Sequence, residues 1–334
     1  MPAADSFICR ERRLTITLFV VGALLALSGV GSLMLGAVYI QPFDAIRGLA
    51  PGGEDFDRLV VWQIRTPRFF DAMLVGAALS TAGALLQSVT RNPLADPTIL
   101  GISASSGLVI AIVLVLSGNP SDTQLALAGI GGGLVGAATI LYIAWGGVVS
   151  PLRLTLAGVA LAAFFSAAIV ALLASSRTFL EINLGFLVGG LYGSEWREVR
   201  AIAPWILPAL VGAQLLSGRL NVLALGDDIA ASLGVLTDRT RVMTLALVGV
   251  LTGTAVSVAG LVSFVGLVSP HLARYAVGSD QRRMLPASML IGALLVATAD
   301  LAARVVLQPS ELPMGILTAA IGAPFLLYLL KVRI

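Results

Sequence analysis

Cysteine, histidine and lysine each occur once in this chain of 334 residues, as Cys9, His271 and Lys331. Each scarcity removes a chemistry. A single cysteine forbids an intrachain disulfide, and one Cys with one His cannot supply the several nitrogen and sulfur ligands of a zinc site. A Walker-type nucleotide loop needs a Lys directly after a Gly-rich turn, and Lys331 follows an apolar run instead. ATP hydrolysis by that route is excluded for this chain. Charge of either sign is also scarce, at 12% of residues against about 25% in soluble domains. The net charge of +3 comes almost wholly from arginines split among many segments, so no basic stripe for nucleic acid exists.

What the chain has instead is apolar surface. Hydrophobic residues make up 57% of it and glycine contributes 36 positions, a composition suited to closely packed membrane helices. Apolar runs fall at 14–40, 69–89, 98–116, 124–146, 154–175, 201–217, 241–262, 264–277, 286–307 and 313–330. They predict an all-α polytopic membrane protein with about ten spans in one transmembrane domain, 1–334. The first run is too long for the apolar region of a cleaved signal, about 7–15 residues, and Cys9 precedes it. It is expected to remain as a span. The 264–277 run is shorter than the roughly 20 residues of a full crossing, which a helix shielded by its neighbours tolerates.

Charge sets the orientation. With the N-terminus inside and ten spans, inner segments carry thirteen Lys and Arg against seven acids, and outer segments eight against eleven. By the positive-inside rule both termini are expected in the cytoplasm. Small residues recur at helix-contact spacing, as in Gly76, Ser80, Gly83 and Ala84, then Gly129, Gly132, Gly133 and Gly136, then Gly249 and Gly253. That spacing predicts close helix crossings. The Gly-rich stretch Leu184 to Gly193 is too short to cross, and reads as a short helix or re-entrant turn near the outer surface.

Four segments stand apart. Arg219 to Arg241 is a long inner connection in which Asp227 and Asp228 follow Gly226, as carboxylates opening a short helix would, and Gly234 suits its end. It is either a solvated connector or a docking element for a soluble partner. Arg91 to Gly101 carries two prolines that forbid a continuous helix, with Asn92 placed to cap the preceding span; it is a plain inner turn or a constriction. Arg65 and Arg68 in the outer segment Trp62 to Arg68 suit carboxylates on an external partner or serve as interface anchors. Asp300 and Arg304 sit at i,i+4 on one span, and His271 follows Pro270 in another. A hydrogen-bonded structural role fits that lone histidine better than a ligand role.

Taken in order, these segments resemble the permease family of type II ABC importers, which carry iron-siderophore complexes, heme and vitamin B12. The landmarks run from Arg65-Thr-Pro-Arg68 and Gln87 through Arg91-Asn-Pro-Leu-Ala-Asp-Pro97 and Leu156-Ala-Gly158 to Leu225-Gly-Asp-Asp228 and Ser232-Leu-Gly234. They continue through Phe264-Val-Gly-Leu267, Pro270-His271, Arg274, Asp300, Arg304, Glu311-Leu-Pro313 and Gly322-Ala-Pro324. The resemblance covers nearly the whole chain and, through Ser150 to Ala162 and the Arg91 turn, is most like the ferric-siderophore branch.

The resemblance implies a subunit with ten spans in the cytoplasmic (inner) membrane of a bacterium, surrounded by lipid, that pairs with itself or with a related permease. It implies two cytoplasmic ATPase subunits holding ATP and Mg, none of which this chain binds, docked on 219–241 through Leu225, Gly226, Asp227, Asp228, Ala230, Ser232, Leu233 and Gly234. An extracytoplasmic binding protein would meet Arg65, Arg68 and Arg304. An inner gate would comprise Asn92 and Leu94 with Ser150 and Pro151, although relatives carry a hydroxyl residue where Pro151 stands. Heme or vitamin B12 would suit the same architecture. An ion-coupled secondary transporter would need more carboxylates within its spans than the nearly solitary Asp300. An intramembrane enzyme would need a partner for His271 that the spacing does not supply.

Overall fold

The computed structural model describes residues 2–36, 38–49, 56–144, 151–175, 185–308 and 310–333, and those residues hold helices and no strand. Helix α1 (Pro2–Met34) is followed by two short helices, α2 (Pro42–Gly48) and α3 (Phe56–Leu59). A π-helical turn, Val60–Arg65, then runs without a break into α4 (Thr66–Thr90). Next come α5 (Ile102–Ser117), α6 (Asp122–Ala144), α7 (Pro151–Ser175) and α8 (Trp196–Leu223). The chain ends with the short α9 (Asp227–Ser232), then α10 (Thr237–Ala259), α11 (Val265–Val277), α12 (Gln281–Val305) and α13 (Met314–Arg333).

Each of the ten apolar runs coincides with a helix. Among the described residues, seven helical stretches are long and apolar enough to cross a bilayer, and α5 and α13 contain shorter apolar helices. The boundaries differ where backbone chemistry intervenes. The first run ends as a helix at Met34, and the 98–116 run begins as one only at Ile102, because the segment after Pro93 and Pro97 forms successive turns. The short run is α11, whose thirteen residues reach roughly 20 Å at 1.5 Å per residue. A non-helical stretch, 260–264, precedes it, and Leu261 N–H donates to the Phe186 carbonyl at 3.0 Å. Backbone that leaves the helix inside the bundle thus finds a protein partner, as hydrocarbon requires.

Helix α4 is the central element, buried along most of its length, with α12 as its main neighbour, whereas α6 pairs chiefly with α10. The small-residue stripes make those crossings. A Cβ at Gly129 would collide with the Gly253 carbonyl, and one at Gly133 with that of Gly249, so α6 and α10 touch backbone to backbone. The α4 and α12 crossing is of the same kind at Gly76 and Gly292. With no hydrophobic drive between helices in lipid, such contact is the main source of association. Residues 185–188 form one helical turn within the expected Gly-rich stretch, and Gly189 and Gly190 bond to Gly315 N–H and the Ala259 carbonyl, joining it to α13 and α10. Leu184 lies outside the described residues.

Polar contacts sort the helix termini into two ends. At one, Asn221 of α8 donates to Asp280 before α12, and Arg283 of α12 pairs with Glu11 of α1 at 3.2 Å. Arg91 after α4 meets Asp227 of α9 there as well. At the other end the C-terminal part of α1, the N-terminal part of α4 and the C-terminal part of α12 converge. These are the ends that the charge pattern assigns to the inside and the outside respectively.

Candidate functional site

The outer end is organised by a buried ionic cluster. Asp300 is 1% exposed and accepts from Arg68 Nε at 3.0 Å and Nη2 at 2.9 Å, a two-pronged contact of the kind guanidinium geometry favours. Arg68 Nη1 donates to Glu311 at 2.9 Å. Arg304 lies one turn beyond Asp300, with its Nε 3.2 Å from Asp300 Oδ2 but not aligned for a hydrogen bond, and its Nη2 donates to the Ser32 hydroxyl. Two guanidiniums and two carboxylates therefore cancel within one site that ties α1, α4, α12 and the segment before α13 together. Arg65, brought inward by the π-helical turn, donates to the carbonyls of Leu33 and Val38 beyond the end of α1. Trp62 on that turn packs on Trp196 with ring centroids 5.0 Å apart, and Trp196 Nε1 donates to the Trp62 carbonyl.

The structure places Arg65, Arg68 and Arg304, the residues expected to meet an external binding protein, inside this end of the bundle. Their exposures are 5%, 6% and 5%, and each guanidinium is bonded within the chain because a charge at a helix end in lipid must be paired or hydrogen-bonded. Glu311 faces a cavity of about 770 Å³ lined also by Phe186, Val188, Tyr192, Val258 and Pro313. It is the member of the cluster that reaches open space.

At the inner end, α9 forms as expected. Gly226 leads into it, Asp227 and Asp228 occupy its first turn, and Gly234 takes the left-handed conformation (φ 79°) that ends it, with Val235 N–H returning to the Ala230 carbonyl. Ala230 is buried and Asp227 half-buried, whereas Gly226 is intermediate and Asp228, Ser232 and Gly234 are turned further toward solvent. Leu225, Ile229, Leu233 and Leu236 are 60%, 49%, 62% and 67% exposed. Four large apolar side chains thus lie on a short connection beyond the spans, a pattern that marks an interaction surface.

Asp227 holds that surface in place. Arg241, fully buried on α10, donates to both of its oxygens at 2.8 and 2.9 Å, and Arg91 donates to the same carboxylate and, at 2.9 Å, to the Leu223 carbonyl that closes α8. Burial alone would raise the Asp227 pKa; the hydrogen bonds and charge of Arg241, with Arg91 adding, outweigh it and hold the carboxyl below its ordinary range. Asp280 behaves similarly. Burial is outweighed there by hydrogen bonds from Asn221 and the Arg282 N–H, so its carboxyl is also lowered.

The residues expected at the inner gate come from two segments. Asn92 does not cap α4; its Oδ1 accepts from Leu94 N–H at 3.0 Å, so the side chain fixes its own turn. The capping position is taken by Arg91 in a left-handed conformation (φ 50°). The rest of the turn is not a surface hairpin: Ala95, Asp96 and Leu100 are buried, and a Cβ on Gly266 of α11 would touch Asp96 and Pro97. Pro151 opens α7, and Ser150 lies outside the described residues. His271 Nδ1 is 3.0 Å from the Leu267 carbonyl one turn back, with Phe325 edge-on to its ring. Gln87 links α4 to α11 by donating to Gly266 and accepting from Arg274. Sequence reading named Gln87 and Arg274 without seeing that they meet, since they lie 187 positions apart.

The profile of the FecCD transport family matches residues 24–332. The chain belongs to that family. The Fe(3+)-citrate import system permease protein YfmE of Bacillus subtilis is 36% identical over 96% of each chain. The Fe(3+) dicitrate transport system permease protein FecC of Escherichia coli is 38% identical over 94% of this chain and 96% of its own length. Among solved structures, an inward-facing metal-chelate type ABC transporter superposes with a TM-score of 0.82 at 31% identity, covering 94% of this chain and 98% of the other. The all-α membrane fold of this FecCD chain is thereby matched from near its first span to its last.

Proposed function

We propose that the chain is the permease subunit of an ABC importer that carries an iron chelate of the ferric-siderophore class across the cytoplasmic membrane of a bacterium, with both termini in the cytoplasm. The observation that carries this reading is the nearly full-length similarity to permeases named for ferric citrate and, at 35% identity, ferric hydroxamate import. The permease works as a dimer with itself or a close relative and holds no cofactor. Two cytoplasmic ATPase subunits bind ATP and Mg and supply the drive, and an extracytoplasmic binding protein delivers the chelate. Arg65, Arg68 and Arg304 contribute to delivery by holding the outer ends of α1, α4 and α12 in register, not by reaching out to the partner.

The exposed face of α9 supports ATPase docking at 219–241. Ile229→Asp with Leu233→Asp places carboxylates where apolar contact is needed, while leaving the inward-facing Asp227 and Ala230 untouched. Each large apolar side chain removed from such an interface forgoes about 1.5–3 kcal/mol of burial. Capture of the co-expressed ATPase is expected to fall at least about tenfold. Unchanged capture would remove α9 as the docking site.

A further inference from the structure

Asp71 is the carboxylate carried by the apolar run 69–89, and the ionic cluster at the outer end does not use it. It lies near the start of α4 and is fully buried, and neither of its side-chain oxygens has a hydrogen-bond partner. The arginines of this end are committed elsewhere. Arg68, one turn earlier on α4, serves Asp300 and Glu311, Arg65 holds two carbonyls beyond α1, and Arg304 lies against Asp300 and Ser32. Arg197 of α8 pairs with Glu195, and Arg200 is exposed. An ionised carboxylate taken out of water with neither a counter-charge nor a donor is far costlier than the neutral acid.

The groups that do face Asp71 are acidic or neutral. Glu198, in the first turn of α8, and Asp122, at the start of α6, are the charges that act on it, and the buried Ser194 adjoins both Asp71 and Glu198. Ser194 turns its own proton to the Leu191 carbonyl at 3.4 Å, which leaves its oxygen to accept. The outer parts of α1, α7 and α10 carry no titratable side chain, and on α11 His271 and Arg274 are engaged with Leu267 and Gln87. Phe70, beside Asp71, packs on Trp196 at the start of α8 with ring centroids 5.8 Å apart. Asp122, Arg197 and Arg200 bound a cavity of about 630 Å³, so the acidic group also has a way to water.

We propose that Asp71, Ser194 and Glu198 form a proton-binding site that latches the start of α8 to α4. Asp71 is carried as the neutral carboxylic acid, which has a proton to donate to the Ser194 oxygen, and that contact crosses from α4 to the segment leading into α8. In alkaline medium the proton leaves to water through the cavity beside Asp122, and the Asp71 carboxylate then faces Glu198 as a like charge. The start of α8 loosens from α4, and the contacts of Trp196 with Trp62 and Phe70 loosen with it. A site that keeps its proton in the folded chain and gives it up in the unfolded chain loses stability as pH rises. External pH thereby acts on the outer end of the permease without ATP.

The test reads the proton directly. In the infrared spectrum of the purified permease, a protonated carboxylic acid gives a C=O stretching band that ionised carboxylates lack. The difference between the parent and Asp71→Asn is expected to show that band in mildly acidic and neutral buffer and to lose it in alkaline buffer. The parent's thermal midpoint is expected to fall by several degrees over the same range, and Asp71→Asn, a neutral isostere, to lose most of that fall. Glu198→Gln removes the facing charge and keeps Asp71, so its band is expected to disappear at lower pH than the parent's. Absence of the band from the difference spectrum, or an Asp71→Asn midpoint that falls as the parent's does, overturns the proposal. Where Asp71→Asn fails to fold, the Glu198→Gln titration decides: a band lost at the same pH in Glu198→Gln and parent overturns it.

Discussion

Asp300→Ala is expected to leave little folded permease. The substitution strips the shared carboxylate from Arg68 and Arg304, both buried, and leaves two like charges facing each other near the outer end of the bundle. Removing one partner of a buried ion pair costs about 3–5 kcal/mol, a large part of the total stability of most domains. Glu311 remains beside Arg68, but its side chain is one-third exposed. The measurement is the yield of monodisperse protein in mild detergent and its thermal midpoint. Arg68→Glu would be equally disruptive, placing a third carboxylate beside Asp300 and Glu311, and loss of binding-protein capture in that variant would report folding. A well-behaved Asp300→Ala protein with an unaltered midpoint would contradict the structural role assigned to the cluster.

The second large effect is expected at the crossing of α6 and α10. Gly253→Val puts three carbon atoms where the Gly129 carbonyl already lies within contact of a single Cβ. Backbone, unlike a flexible side chain, cannot turn aside, so the helices must separate and the neighbouring Gly133 and Gly249 contact opens with them. Overpacking of this kind costs about 1–3 kcal/mol, occasionally more, and here it acts on a principal helix pair of the bundle. Gly131→Ala on α6, the partner helix, provides the contrast, since a Cβ at Gly131 meets nothing within 4 Å. Gly253→Val is expected to lower the midpoint and the yield while Gly131→Ala leaves both unchanged. Equal behaviour of the two variants would show that the crossing is looser than its geometry indicates.

Much of this architecture is legible before any coordinates, because hydrocarbon imposes strong rules. A run of about twenty apolar residues has few alternatives to a helix, so every expected span has its helix, and the small-residue stripes on α4, α6 and α10 lie where helices meet. Local capping chemistry is equally readable: Gly226, Asp227, Asp228 and Gly234 define α9 from their spacing alone. The i,i+4 pair Asp300 and Arg304 is also a local feature.

Contacts that cross the bundle are different. Arg68 and Asp300 stand 232 positions apart, and nothing in the charge of Arg68 distinguishes a cation aimed at an external carboxylate from one aimed at its own chain. The π-helical turn before α4, which rotates Arg65 inward, has no compositional mark in Val60 to Arg65. Asn92 shows the same limit on a smaller scale. Its type suits a cap or a turn, and the choice is made by the left-handed backbone of the preceding Arg91. The depth of the 95–100 segment likewise depends on Gly266 and Gly158, which come from distant helices and leave room for it.

The most direct test of the account is uptake into proteoliposomes that contain this permease, its ATPase and its binding protein, with radio-iron supplied as ferric citrate and, in parallel, as a ferric hydroxamate. The account predicts accumulation against a gradient of at least one of these chelates that requires ATP on the ATPase side and stops when the binding protein is omitted. Uptake that proceeds without ATP on an imposed ion gradient, or an assembled and hydrolysing complex that accumulates neither chelate, would contradict it.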